Sequence, residues 1–408
     1  MKRTLLVVGG GIEAVPGINK AGEMGLHVVV SDQDPNAKGA LAADDFLMAS
    51  SYDIAATVSE AKKYHQSVRP INGVICIASD VPLTVAEVAK ALDLPGIPLS
   101  AARLSMDKLA MKDKFFAHNL AVPWYSPVES FEHLQKIASE TGYPLVLKPV
   151  DSRGARGVLR IMPGLDLKWA YELALDYSPT SRVMVERYLS GPQVSTESII
   201  LNGRAYTLGF SDRNYEYLER YAPYIVENGG ELPSFLPQKT QQAVCELVEK
   251  AALTMGITEG VVKGDIVIHN DLPHVIEMAA RLSGGYFCTH EIPLNTGVDF
   301  VRQAILLSLG EKPNPANLEP RFNRGVGQRY LFPEPGRVIS ILGAEDVSKR
   351  PDVALCEIRV KTGDMIEPIE NHPGRPGVVI TTASTREEAV SRAIEAVNEI
   401  KIVTERVN

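Results

Sequence analysis

A short apolar strand that runs straight into glycines, then a helical stretch and a second apolar strand, allows few folds. Thr4–Val8 is such a run, Gly9-Gly10-Gly11 follows, and a helical stretch reaches about Glu23. Leu26–Val30 is the second strand, ending at Ser31-Asp32, and Gly73–Ala78 is another, ending at Ser79-Asp80. Val85–Leu92 then has helical spacing, and Leu94-Pro95-Gly96-Ile97-Pro98 stops it. Strand and helix in alternation predict a parallel sheet with helices on its faces. The basic, then apolar, opening of the chain therefore reads as a first strand and not as a signal peptide.

The remaining residues change pattern. Arg103–Asn119 reads as a lysine-rich helix, Pro144–Pro149 as a strand carrying Lys148, and Asp151–Gly157 as a glycine-rich loop. Val183–Arg187 and Val194–Leu201 read as strands around a turn at Gly191-Pro192, and Gln241–Met255 as a helix. Val261–His269 and His274–Met278 read as a hairpin, and Val298–Leu309 as a closing helix. The last hundred residues are strand-rich with Gly and Pro turns, then a helix over Arg386–Ile400 whose acidic start suits the helix dipole. A chain of 408 residues suits two or three domains. Three are expected: 1–102 (α/β), 103–312, and 313–408 (strand-rich).

Composition narrows the function. Asp plus Glu outnumber Lys plus Arg by 50 to 42, against a partner held through its phosphates such as a nucleic acid. No apolar run approaches the roughly 20 residues of a membrane span. The four cysteines are far apart and form no CxxC pair, which suits reduced thiols in the cytoplasm.

Gly9-Gly10-Gly11-Ile12-Glu13-Ala14 fits GxGxxA after a first strand, and Asp32 stands at the end of the second. That is the fingerprint in which glycines admit a pyrophosphate and an acid holds a ribose. An NAD-dependent oxidoreductase is therefore one reading. A tight turn of small residues in any parallel sheet is the other.

Four features of the middle region point elsewhere. Lys108 opens one helix, and Lys148 lies within the apolar run Leu145-Val146-Leu147-Lys148-Pro149, where a buried ammonium needs an anionic partner. In Asp151-Ser152-Arg153-Gly154-Ala155-Arg156-Gly157, backbone amides can nest an anion while Ser152, Arg153 and Arg156 add donors. At Glu186-Arg187-Tyr188-Leu189 a strand ends, and its free backbone groups could read an adenine edge. In the hairpin, centring the turn on Asp271 sets Asp265 opposite Glu277, with Cβ atoms roughly 5 Å apart. Two acids at that spacing repel unless a cation lies between them, which suits Mg²⁺ on nucleotide phosphates. Arg281-Leu282-Ser283-Gly284-Gly285 follows directly, and Arg281 could reach charge developing on a phosphoryl or acyl group.

Taken together these residues resemble the ATP-grasp superfamily, specifically its carboxylate–amine ligases, among them L-amino-acid ligases and purine-pathway ligases. The resemblance covers nearly the whole chain. It implies an ATP-grasp fold of mixed α/β and α+β class, with a leading Rossmann-like domain that does not bind NAD and a mobile lid over about 120–190. It makes Lys108 and Lys148 nucleotide lysines, and Ser152, Arg153, Gly154, Arg156 and Gly157 the phosphate loop. Glu186, Arg187, Tyr188 and Leu189 become the adenine hinge, and Gln193 stands where the family often has a ribose-binding Glu. Asp265 and Glu277 become ligands of Mg²⁺ or Mn²⁺, and Arg281 the catalytic arginine beside an acyl phosphate. Glu197, Asp212, Arg213, Glu227, Ser283 and Gly284 border the substrate, with Asp212, Arg213 and Glu227 able to hold a zwitterion. Two departures are visible: Glu277-Met278-Ala279 replaces the usual Glu-x-Asn, and Gln193 replaces an acid. The implied activity is ADP-forming ligation of an amino acid or similar carboxylate to an amine, in a cytoplasmic enzyme, often a homodimer, that needs no nucleic acid or membrane. A non-catalytic nucleotide-binding regulator is a further alternative, favoured only by Ala279.

Overall fold

The computed structural model describes residues 2–406. Among these, the first sheet has the strand order Asp45–Met48, His27–Asp32, Thr4–Val8, Gly73–Ile75, with every pair parallel. Thr4–Val8 is buried at all five residues, so both of its faces are covered and its apolar run is unbroken. The expected alternation is present. Asp45–Met48 and the helix Ile54–Ser67 add to it.

The glycine turn is closed by the fold itself. Asp32 accepts the amide of Gly10 at 2.7 Å and that of Asp34 at 3.0 Å, so its carboxylate serves the turn. Gly39 donates to the carbonyl of Gly10, and a Cβ on Gly39 would lie 2.7 Å from the Gly10 Cα. The helix Lys38–Ala42 thus covers the surface where a pyrophosphate would approach. The oxidoreductase reading loses both the acid and the space it requires.

The largest sheet has eight strands in the order Leu272–Ala279, Gly260–His269, Gln193–Leu201, Arg204–Arg213, Gly230–Leu232, Gly325–Tyr330, Gly377–Ala383, Val353–Ile358. Strands before and after residue 312 therefore share one surface. One hydrophobic cluster joins it to the first sheet, with Leu5, Val7 and Ile75 packed alongside Ile199, Phe287, Val326 and Ile380. A separate antiparallel sheet, Tyr125–Val128, Val183–Arg187, Leu145–Pro149, Leu159–Ile161, carries its own core with Leu134, Ile137, Ala170 and Ala174.

Two local features correct the sequence reading. Arg103–Asn119 is not one helix. Asp107 caps a new one, accepting the amide of Ala110 from an extended backbone, so Leu99–Leu104 ends and Lys108–Ala117 begins with Lys108 at its first position. The hairpin turn is Asn270-Asp271, both with positive φ, and pairs His269 with Leu272. That turn alone would set Asp265 opposite Ile276. A bulge between Asp265 and Ile266 shifts the register, and Asp265 does oppose Glu277.

Candidate active site

A cavity of about 550 Å³ opens where the first sheet, the small lobe and the large sheet meet. Its two ends differ in how their charges are paired.

At one end the small lobe supplies buried ion pairs. Glu186 lies 2.6 Å from Lys148 Nζ and 2.9 Å from Lys112 Nζ, and all three side chains are at most 5% exposed. Burial pulls the Lys112 pKa down to about 8 despite Glu186. Burial also opposes charge on Glu186, but the two lysines outweigh it and hold the carboxyl below its ordinary value. Lys108 Nζ donates to the Ser152 carbonyl at 2.6 Å and lies 3.1 Å from Glu277 Oε1, joining the glycine loop to the hairpin. The loop is docked on both sides: Arg153 lies 4.2 Å over the Tyr52 ring, and His372 N donates to the Gly154 carbonyl. The strand end is less open than its sequence suggests. Arg187 N and Tyr188 N already donate to the carbonyls of Trp124 and Pro144.

In the middle, Asp265 accepts from Lys263 Nζ at 2.6 Å and from Ser195 Oγ at 3.0 Å, and lies 3.1 Å from Arg213. Burial favours its neutral form, but Arg213 and Lys263 keep it ionised far below the usual carboxylate range. Arg281 Nε donates to Asp80 Oδ1 at 2.6 Å. Burial raises the Asp80 pKa and Arg281 more than reverses this, leaving it at about 2. Asp80 follows the last strand of the first sheet, where Ile77 bridges to Leu282, so that sheet fixes the arginine's direction.

At the far end, charges come from every part of the chain. Glu13 accepts from Arg359 at 2.6 Å and from the amide of Gly285 at 2.7 Å. Arg213 donates to Glu227 at 2.6 Å. Arg375 lies 3.4 Å over the Tyr330 ring and donates to the carbonyls of Glu227 and His372. Glu291 is 2% exposed and among the described residues its carboxyl accepts a hydrogen bond only from Ser211 Oγ, at 3.4 Å.

Three family models match successive parts of the chain: an ATP-grasp N-terminal domain over 18–96, an ATP-grasp domain over 105–285, and an L-amino acid ligase C-terminal domain over 329–405. The chain belongs to the ATP-grasp family. An L-amino acid ligase from Bacillus licheniformis has the same fold at 22% identity, with a TM-score of 0.84 and 99% of each chain covered. A phosphoribosylglycinamide synthetase from Anaerococcus prevotii gives 0.75 at 17% identity, covering 99% of this chain and 100% of the other. Among curated sequences, a D-alanine–D-alanine ligase from Azoarcus is 29% identical over 200 residues, 47% of this chain and 64% of that ligase's length. An uncharacterised Sinorhizobium fredii protein is 24% identical over 383 residues, 91% of this chain and 77% of its own.

Most residues singled out in the sequence line this ATP-grasp cavity: Lys108, Lys148, Ser152, Arg153, Gly154, Arg156, Glu186, Arg187, Tyr188, Leu189, Gln193, Arg213, Glu227, Asp265, Glu277, Arg281, Ser283 and Gly284. Three do not. Gly157 packs inward, where a Cβ would lie 2.9 Å from both Pro149 and Tyr177. Glu197 is 0% exposed beneath the cavity and accepts both the amide and the hydroxyl of Ser283. Burial, against those bonds, pushes its pKa up to about 7. Asp212 points to the opposite face, held by Ser234, the Phe235 amide and Arg386. Sequence reasoning missed Glu13, Asp80, Lys112, Glu291, Arg359, His372 and Arg375. Ser79-Asp80 at a strand's carboxyl end was a usable signal. The others carry none in their local sequence.

Proposed function

We propose that the protein is an ADP-forming carboxylate–amine ligase that acts on an amino acid. The observation that carries this reading is one cavity with two ends, lysines and a glycine loop at one and a cluster of buried polar groups at the other, with Arg281 between them. ATP would lie on Lys108, Lys148 and the amides of 152–156, with its base beside Tyr188, Leu189 and Gln193. The substrate carboxylate attacks the γ-phosphate, giving an acyl phosphate and ADP, and an amine then displaces phosphate to form the amide. Such transfer needs positioning and charge neutralisation more than covalent help. Arg281, aimed by Asp80, meets the charge that builds on the transferring oxygens.

Among the described residues no group of three or more His, Cys, Asp or Glu gathers to hold a metal. Asp265 and Glu277 face each other across the hairpin and suit Mg²⁺ that arrives on the nucleotide, because Mg²⁺ commonly takes one or two carboxylates and completes its shell with phosphates and water. Bound there it would neutralise phosphate charge. Ala279 lines the cavity but offers no oxygen of its own side chain. We further propose that the lobe over about 120–190 is the lid, because the Arg153–Tyr52 and Gly154–His372 contacts close the loop against both neighbours and would keep water from the acyl phosphate.

The test is phosphate release from ATP and Mg²⁺ across pairs of common amino acids, with the product mass recorded. The reading requires ADP, phosphate and amide in equal amounts. Tight NAD binding with none for ATP, or ATP cleavage that never yields an amide, would defeat it.

A further inference from the structure

The charged side chains that line the cavity are mostly neutralised by one another: Glu186 by two lysines, Asp265 by Lys263 and Arg213, Glu227 by Arg213, Asp80 by Arg281, and Glu13 by Arg359. The Arg213–Glu227 pair, which the sequence offers as a cradle for a zwitterion, is therefore already an internal salt. At the end away from the lysines, two buried ionisable groups remain without a charged partner among the described residues. Glu291 has only the Ser211 hydroxyl. Arg375, 6% exposed, has two carbonyls and the face of Tyr330 but no carboxylate. An unpaired buried charge is costly, so a carboxyl in this position holds its proton until a cation arrives to pair with it.

Both line the cavity. Glu291 leaves the turn Phe287–Glu291 and lies beside Ser211 and Gly230 on the cavity wall. A Cβ on Gly230 would come within 3.0 Å of the Glu291 carboxyl, so glycine at 230 keeps that carboxyl open. Arg375 is tied to the phosphate loop through His372, whose carbonyl it caps and whose amide donates to Gly154. A carboxylate on Arg375 is therefore next to the loop that would hold the γ-phosphate, while an ammonium on Glu291 is set back toward the large sheet.

We infer that Glu291 and Arg375 are the residues that select the carboxylate substrate, Glu291 binding its free ammonium and Arg375 the carboxylate that becomes activated. This rests on the ligase reading and assigns its substrate subsite to these two residues in place of Arg213 and Glu227. A site whose buried group is left unpaired by the wrong ligand discriminates strongly. Arg375 offers a planar fork to two carboxylate oxygens, which lysine reproduces only in part.

The experiment uses the full chain, ATP with Mg²⁺, and phosphate release with common amino acids and the matching carboxylic acids that lack the amine. The wild type should prefer the amino acid by at least about a hundredfold in kcat/KM. Glu291→Gln should reduce that preference to within about tenfold while KM for ATP stays the same. Glu227→Gln should keep the preference whatever it costs in turnover. Arg375→Met should raise KM for the amino acid by about a hundredfold, and Arg375→Lys should recover part of it, which also covers the case in which the methionine variant folds poorly. An intact preference in Glu291→Gln, an unchanged KM in both Arg375 variants, or a wild type that favours acids without an amine overturns the assignment and leaves the ligase standing. ATP that binds but is not cleaved with any carboxylate defeats the ligase reading, and the assignment with it.

Discussion

The two ends of the cavity hold the same kinds of residue and treat charge in opposite ways. At the lysine end, Glu186 sits between Lys148 and Lys112, at ion-pair distance from both. At the far end, Glu291 is as deeply buried as Glu186 but has a single long contact to a hydroxyl. Burial, with Glu227 nearby, pushes the Glu291 carboxyl up to about 8. The first arrangement stabilises a frame on which, in the proposed reading, phosphates would be placed. The second is a cost to the folded chain that a bound cation would relieve. One buried acid belongs to the fold and the other to the substrate, and an identical substitution should separate them.

Glu186→Gln carries the largest expected effect. It leaves two buried ammonium groups facing an amide, and unfolding stability should fall by about 3–5 kcal/mol, read by denaturant titration. A loss under about 1 kcal/mol would show that the lysines do not depend on Glu186, and the contrast between the two ends would fail.

Arg281→Ala comes next. Its contact is strongest in the transition state, so kcat should drop about a hundredfold, equivalent to about 3 kcal/mol, with KM for ATP little changed. Lysine at 281 should rescue poorly. Full turnover in both variants would remove Arg281 from the chemistry.

Glu277→Gln should lower turnover by at least about tenfold, because a metal ligand's charge is lost. Its side chain is 30% exposed and its partner Lys108 also holds Ser152, so the melting temperature should barely move. Normal turnover would exclude Glu277 from the ligand set.

Glu291→Gln should act on stability with the opposite sign to Glu186→Gln. The folded carboxyl titrates near 8 and the unfolded one near its ordinary value, so between these the native chain holds a proton that the unfolded chain has released. Stability then falls as pH rises through that window, by at most about 1.4 kcal/mol per pH unit. Glutamine does not titrate, so the variant should gain on the wild type by at least about 1 kcal/mol between pH 5 and pH 8. Parallel melting curves across that range would mean that Glu291 is solvated or paired. The smallest effect expected is from Tyr52→Ala, which removes the ring under Arg153 and should raise KM for ATP about two- to fivefold.

The same contrast explains what the sequence disclosed. Lys148 stood in an apolar run, and the need for a counter-ion followed from burial alone. The partner proved to be Glu186, already singled out for another reason. Asp265 and Glu277 were legible because hairpin pairing is a short-range rule. The expected turn centre was off by half a residue, and the bulge restored the pairing the expectation had named. The helix Phe131–Thr141 was missed although Ser130 caps it and Leu134, Ile137 and Ala138 mark its buried face. The far end was not legible for a physical reason. Glu13, Asp80, Glu291, Arg359 and Arg375 come from separate stretches, and only tertiary packing tells which acid already has its arginine. Sequence placed Arg213 and Glu227 at the substrate, but could not show that they neutralise each other.

The central claim is that ATP activates a carboxylate directly, and isotope transfer tests it whichever side chains hold the substrate. With an amino acid mixture labelled with ¹⁸O in its carboxylates, turnover in unlabelled water should release phosphate that carries one ¹⁸O, because the oxygen that attacked the γ-phosphate leaves with it. Released phosphate that carries no label, at the same rate of ADP formation, would mean that water takes the phosphoryl group and that no acyl phosphate forms.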